Sequence, residues 1–297
     1  LKNNPKLIKV KEPVIIIGMH RSGTSLVSKI LERSGIFMGA DQDNNAESQF
    51  FYNLNEWILA QAGATWDNPY NFRFLNEEFK ASVSKSLKRQ LKGKSLKKYM
   101  GAERRGSNSY QKIAFDWGWK DPRNTFTIEI WKDLFEKAKI IHVHRNPVDV
   151  AASLRNRAIE LKKERQKKMI TGLKRRWMEN KLTNERIYEQ SLRVLRLEDG
   201  FLLWKQYIDQ AMLVEEKTGC QTYHLCFEDL LRDTEIETVK LFEFLNFKLP
   251  DGITRKFQET IVKNKRYSFL KNKELTTFYQ SIRNQSLVVE MNYHDIG

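Results

Sequence analysis

Short apolar runs alternate with amphipathic stretches along most of this chain. Val14 to Gly18 is a continuous β-branched run that ends in a glycine, and similar strand-like runs occupy residues 112–116, 139–144 and 221–226. Helical periodicity follows them over residues 24–34, 50–62, 125–136 and 147–165, and again from Glu237 to Leu245. This alternation predicts an α/β fold. A parallel central sheet is expected, with right-handed crossovers, helices on both faces, and ligands at the carboxyl ends of the strands. Residues 147–218 read as one long helical region with little Gly or Pro. Residues 63–111 are instead punctuated by Gly63, Pro69, Gly93, Gly101 and Gly106, which predicts an irregular basic insertion serving as acceptor-side structure or a lid. The 297 residues suit a single domain in which 155–218 is mainly helical.

Composition narrows the class. No window approaches the 18 or so uninterrupted apolar residues of a membrane span. The segment Leu1 to Lys6 has no apolar core of a signal peptide, although an initial Leu suggests that something preceded it. Cys220 and Cys226 are too few for a disulfide framework or a four-ligand zinc site, so a soluble protein of a reducing cytoplasm is expected. The net charge of +15 needs an anionic counterpart or a large solvated surface. Ten basic residues fall between Lys80 and Arg105 and ten more between Arg155 and Arg176. Solvated helix faces account for such runs most simply. An acidic polysaccharide acceptor, or peripheral association with an anionic membrane carrying a lipid-linked glycan, comes next. Nucleic acid fits less well, because the runs lack interleaved aromatics and no finger or basic-zipper pattern is present.

Candidate chemistry concentrates where the first strand turns into a helix, at Gly18-Met19-His20-Arg21-Ser22-Gly23-Thr24-Ser25-Leu26. Backbone N–H groups converging at a helix N-terminus, with the hydroxyls of Thr24 and Ser25, form an oxyanion cradle. Gly18 and Gly23 have the spacing of a nucleoside-triphosphatase loop, but Thr24-Ser25 stands where such a loop has Lys-Ser or Lys-Thr. The cation lies inside the loop at Arg21, beside His20, which suits a phosphate-like group better than an ordinary Mg-nucleotide.

This loop resembles the phosphosulfate loop of the sulfotransferases, enzymes that use 3'-phosphoadenosine 5'-phosphosulfate (PAPS). A second match strengthens the likeness: an apolar strand runs into Arg145-Asn146-Pro147, and Ser153 follows eight residues after Arg145, about two helical turns on. The resemblance implies that Arg145 and Ser153 hold the 3'-phosphate of PAPS. Trp119-Lys120-Asp121-Pro122-Arg123 is similar to the Lys-Asp-Pro element of tyrosylprotein and many bacterial sulfotransferases. Cys226-Phe227-Glu228-Asp229-Leu230 resembles the family's Tyr-Glu-Asp-Leu segment, with Phe227 in place of tyrosine. Asn45-Ala46-Glu47-Ser48 looks like the Glu-containing loop after the first helix. These matches span residues 14 to about 267.

What the resemblance implies is a P-loop-like sulfotransferase with PAPS as donor and no metal. Arg21, Ser22, Gly23, Thr24, Ser25 and Leu26 would take the 5'-phosphosulfate, Phe227 would pack on the nucleotide, and Arg266 in the late basic segment would close over it. Lys120 would stabilise the leaving group. Glu47 is the first choice of base, with His20 and Asp121 as alternatives. Each has a plainer reading: Arg145 paired with Asp149, Lys120 and Arg123 with Asp116 and Asp121, Glu47 as a neighbour of a helix cap. His142 and His144 share a strand face and suit a structural role, and tryptophans 117, 119, 131, 177 and 204 suit the core. The acceptor expected is a carbohydrate or glycolipid, through a hydroxyl or amine. A P-loop kinase and a basic non-enzymatic binding module are the alternatives; the first would prefer ATP with magnesium, and the second would bind its partner without Arg145.

Overall fold

The computed structural model describes residues 10–104, 108–170, 191–260 and 265–296. They form two compact units, one built from residues 1–145 and 207–266 and the other from 146–206 and 267–297.

The first unit contains the sheet. Strands β1 (Val14–Gly18), β2 (Gly118–Lys120), β3 (Lys139–His144) and β4 (Thr222–Cys226) lie in the order β2-β1-β3-β4, all parallel. β1 and the middle of β3 are buried on both faces, whereas the edge strand β4 is only partly buried. Ile15, Ile17 and Ile140 point to a core with Phe51, Trp119 and Trp131, while Val14, Ile16, Ile141 and Val143 point to another with Val27, Leu31, Leu241 and Phe242. Register aligns the carboxyl ends: Ile16 pairs with Lys120, Gly18 with Val143, and His144 with Cys226. Helices α1 (Thr24–Arg33), α2 (Gln49–Gln61) and α5 (Asn124–Lys132) stand close to the segments their periodicity predicts.

Two expectations are corrected. The run 112–116 is not a strand; residues 110–112 form a 3-10 turn, and the sheet edge is Gly118–Lys120. Pairing decides this, since a Cβ at residue 118 would lie 2.0 Å from the Val14 carbonyl oxygen, so only glycine fits where β2 meets β1. Nor is 63–111 irregular throughout. It carries α3 (Glu77–Gln90) and α4 (Gly93–Met100), which bury Val83, Leu87, Leu96, Tyr99 and Met100. Asn76 caps α3 by accepting from the Phe79 N–H at 2.8 Å, and Gly93 and Gly101 mark the ends of α4 rather than loose chain.

The second unit contains α6 (Pro147–Ile170) and the short C-terminal helices at 273–282 and 286–290, while the helix Leu197–Met212 begins in it. Asn146 starts α6 by accepting from the Asp149 N–H at 2.9 Å. The Asp149 carboxylate accepts in turn from the backbone N–H groups of Ser268 and Phe269 and from the Ser268 hydroxyl at 2.7–3.1 Å. Trp204, Phe201, Phe269, Tyr279 and Val288 supply buried apolar bulk. Trp117, Trp119, Trp131 and Trp204 are all buried, whereas Trp177 and residues Lys174 to Arg176 of the second basic run lie outside the described residues. Cys220 and Cys226 are free thiols. No helix among the described residues is long and apolar enough to cross a membrane.

Candidate functional site

Four aligned strand ends place four groups of side chains on one edge of the sheet. From β1 comes the turn Met19–Gly23. Gly18 (φ +132°) passes so close to β3 that a Cβ there would lie 2.2 Å from the Val143 carbonyl oxygen, and its N–H donates to the Thr125 hydroxyl at 3.0 Å. The Ser22 hydroxyl bonds the carbonyls of Met19 and Val143 at 2.7 and 2.9 Å, which ties the turn to β3. Arg21 sits in the left-handed region (φ +71°) with an exposed side chain. Gly23 is the N-cap of α1 and offers no side-chain hydrogen bond, and no acidic residue occupies the first turn. The first N–H groups of α1 therefore point out of an uncapped, electropositive helix end. Ser25 differs from expectation, because its hydroxyl donates to the Asn45 carbonyl at 2.6 Å.

Arg145 and Phe227 follow β3 and β4. A Cβ on Gly23 would fall 2.2 Å from the Phe227 ring, and the Arg145 guanidinium lies 4.8 Å from the centre of the same ring. Arg145 donates to the Lys265 carbonyl at 2.9 Å and reaches the Arg21 carbonyl at 3.5 Å; Glu228 stands 4.0 Å from its Nε. One aromatic ring thus joins the β1 turn to the arginine of β3. The late basic segment arrives here as well, through the backbone of Lys265, next to Arg266. Arg145 is nine-tenths buried. Ser153 lies in α6, in the second unit, half-buried and two turns after Arg145 along the chain.

The β2 end forms a buried charge network. Lys120 donates to Glu47 Oε1 at 2.8 Å and to the Asn45 carbonyl at 3.0 Å, with Lys120 2% and Glu47 6% exposed. Ser25 and Lys120 therefore share one acceptor, and the Glu47 loop is fastened to both α1 and β2. Arg123 completes the cluster, bonding Asp121 at 2.9 Å, approaching Glu47 Oε2 at 3.9 Å, pairing with Glu56 and lying 4.3 Å over the Tyr52 ring. Asn55 donates to Asp121 at 2.9 Å and accepts from Thr127 and Trp131. Burial raises the Glu47 carboxyl above its ordinary range, with Asp121 adding to the effect and Lys120 and Arg123 opposing it. The Arg123 guanidinium, despite its burial, is held still more firmly charged by Asp121, Glu56 and Glu47.

The plainer pairings resolve unevenly. Arg123 does pair with Asp121, but Asp116 pairs with Lys11, and Lys120 pairs with Glu47. Glu47 is indeed the neighbour of a helix cap, since Ser48 caps α2, but its carboxylate is also turned onto Lys120. His20 is buried against Trp66, ring centres 4.7 Å apart, with Tyr207 at 6.1 Å. Asp121 is fully buried in the Asn55–Arg123 network. Sequence reasoning left out Arg123, Asn55, Thr125 and Glu228 as site residues. Glu228 had a signal in its place next to Phe227, and Arg123 in its place behind Lys-Asp-Pro; Asn55 and Thr125 sit in ordinary helical sequence and had none.

The residues present fit a phosphate or sulfonate anion. An uncapped helix end beside a turn that admits no Cβ at Gly23 provides backbone donors, and Arg145 lies against the same Phe227 ring.

The sequence model of the sulfotransferase family matches residues 13–251. Among solved structures, a sulfotransferase from Alicyclobacillus acidocaldarius is similar at 16% identity over 97% of this chain and 98% of that one, TM-score 0.48. The sulfotransferase domain of the Synechococcus olefin synthase is similar at 15% identity over 99% of this chain and 98% of that one, TM-score 0.45. A sulfotransferase from Mycobacterium tuberculosis is similar at 16% identity over 85% and 72%, TM-score 0.43. No curated protein matches.

Proposed function

This chain belongs to the sulfotransferase family, and from that premise we propose that it transfers the sulfuryl group of PAPS to a hydroxyl or amine of a carbohydrate or glycolipid. PAPS supplies an activated sulfuryl group with a phosphate as leaving group. The protein's part is placement and charge neutralisation, as for phosphoryl transfer. The N–H groups at the start of α1, with Arg21 and the Thr24 hydroxyl, bind the 5'-phosphosulfate. Arg145 binds the 3'-phosphate, Phe227 packs against the nucleotide, and Arg266 closes the late segment over it. Ser153 joins Arg145 on the strength of the Arg-Asn-Pro and Ser spacing alone. Lys120 neutralises charge on the leaving phosphate. Glu47, its carboxyl raised by burial, accepts the proton of the acceptor as sulfur bonds to the acceptor oxygen or nitrogen and its bond to the 5'-phosphate oxygen breaks.

The observation that carries this reading is the contact of one ring, Phe227, with both the Gly23 turn and the Arg145 guanidinium. Two anion-binding elements on separate strands therefore converge, as a donor with phosphates at both ends requires. The net charge of +15 supports an anionic or glycan-bearing acceptor over an apolar one. Titration calorimetry with 3'-phosphoadenosine 5'-phosphate and with ATP tests the donor. The first should bind at least about tenfold more tightly, equally well in EDTA, and Arg145→Ala should abolish binding. Preferential, magnesium-dependent binding of ATP would overturn the assignment in favour of a kinase. A panel of glycans and glycolipids assayed with labelled PAPS identifies the acceptor.

A further inference from the structure

Helices α3 and α4 carry a surface that the strand-end chemistry does not use. Lys85, Lys88 and Arg89 recur at i, i+3 and i+4 on α3, Lys94, Lys97 and Lys98 do the same on α4, and Lys92 lies in the extended link between the two helices. All seven are exposed. Both helices bury their opposite stripes, Val83, Leu87 and Leu91 from one and Leu96, Tyr99 and Met100 from the other, in the same core, so both cationic faces turn away from it. No acidic residue occurs from Phe79 through Ala102. None of the seven forms an ion pair among the described residues. The neighbouring Lys80, by contrast, bonds Glu77 and Glu129 at 2.9 and 3.0 Å, and Arg155, Arg232 and Lys240 are likewise paired with carboxylates. Like charges at i,i+4 destabilise a helix, so this face is maintained against its own repulsion.

We propose that the outer face of α3 and α4 docks this protein on an anionic lipid bilayer. Six of the seven cations are lysines, hydrated point charges on long stems that suit a field of headgroups. A site for individual sulfates or carboxylates would favour the planar fork of arginine. No aromatic side chain is exposed on either helix, so there is no shelf for a sugar ring or a base. The charges spread over two helices that touch each other, the longer about 20 Å in length, rather than along a single one. No apolar group projects from it. Docking is therefore electrostatic, shallow and reversible, each cation multiplying partition by roughly a factor of five. It is independent of the reaction assigned to the strand ends.

Co-sedimentation with vesicles tests this. The protein should bind vesicles of phosphatidylcholine containing phosphatidylglycerol, leave pure phosphatidylcholine in solution, and be released by high salt. The combined variant Lys88→Gln, Arg89→Gln, Lys97→Gln, Lys98→Gln should partition at least about tenfold more weakly. Removing equal charge elsewhere, by Lys29→Gln, Lys248→Gln, Lys271→Gln and Lys273→Gln, should change little. A charge-conserving set, Lys88→Arg, Arg89→Lys, Lys97→Arg and Lys98→Arg, should bind as the parent does and guards against misfolding of the first variant. Equal loss in both neutralised sets would overturn the proposal, because net charge alone would then explain binding. So would binding to dextran sulfate through these residues without binding to the anionic vesicles.

Discussion

At the scale of single residues, the Lys120–Glu47 contact is a buried ion pair. Two opposite charges, nearly withdrawn from water, depend on each other, and removing one leaves the other buried without a counter-ion. Lys120→Met should therefore lower unfolding free energy by about 3–5 kcal/mol in urea titrations, whereas an exposed pair such as Lys11–Asp116 should cost under about 1 kcal/mol. Glu47→Gln separates the structural from the chemical part, since the amide keeps the shape and an acceptor for Lys120 but cannot take a proton. Its kcat should fall by roughly a hundredfold or more with 3'-phosphoadenosine 5'-phosphate affinity unchanged. A parallel loss of nucleotide affinity would place Glu47 in donor binding instead.

At the scale of elements, the close approach of β1 and β3 tolerates no side chain at residue 18. Gly18→Ala adds a Cβ 2.2 Å from the Val143 carbonyl at a φ of +132°, and should cost about 2–4 kcal/mol of stability through overpacking and backbone strain. The same strands carry a pH dependence. His142 Nδ1 lies 2.9 Å from His224 Nδ1, and His144 shares their face, its ring centre 5.6 Å from that of His142. Burial, helped by His224, pulls the His144 imidazole down to about 4, and burial, His144 and His224 together hold His142 well below its usual value. The unfolded chain titrates these groups near pH 6.5, so between about pH 6.5 and 4 it binds more protons than the folded one. Stability is full above that window and lost as pH falls through it. Chemical denaturation at pH 7 and pH 5 should show the loss, and His144→Gln should reduce it. An unchanged slope in the variant would remove His144 as a cause.

At the scale of the molecule, a donor that binds only the folded state must stabilise it. 3'-Phosphoadenosine 5'-phosphate at a hundred times its dissociation constant should add about 2.7 kcal/mol and raise Tm, with no such effect of ATP under the same conditions. Much of the architecture behind this was legible beforehand. The runs at 14–18, 139–144 and 221–226 read as strands, the first because burial on both faces demands unbroken apolar sequence, and the turn at Gly23 read as an anion cradle because only a glycine-bounded strand-to-helix turn presents its N–H groups that way. The edge strand at 118–120 was not legible, since three residues carry no periodicity and Gly118 is chosen by its distance to Val14. Nor were α3 and α4, where lysines mask a narrow apolar stripe and glycines mark helix ends. The candidate site divides in the same way. Local sequence pointed to Arg21, Gly23, Arg145 and Phe227, because each follows a strand in a recognisable turn, and to Lys120 through its Lys-Asp-Pro element. Their mutual contacts join residues as far as 204 positions apart, as from Gly23 to Phe227, and no local pattern encodes a distance of that kind. Only the parallel alignment of four strand ends decided that Glu47 meets Lys120 and that Phe227 touches both the Gly23 turn and Arg145.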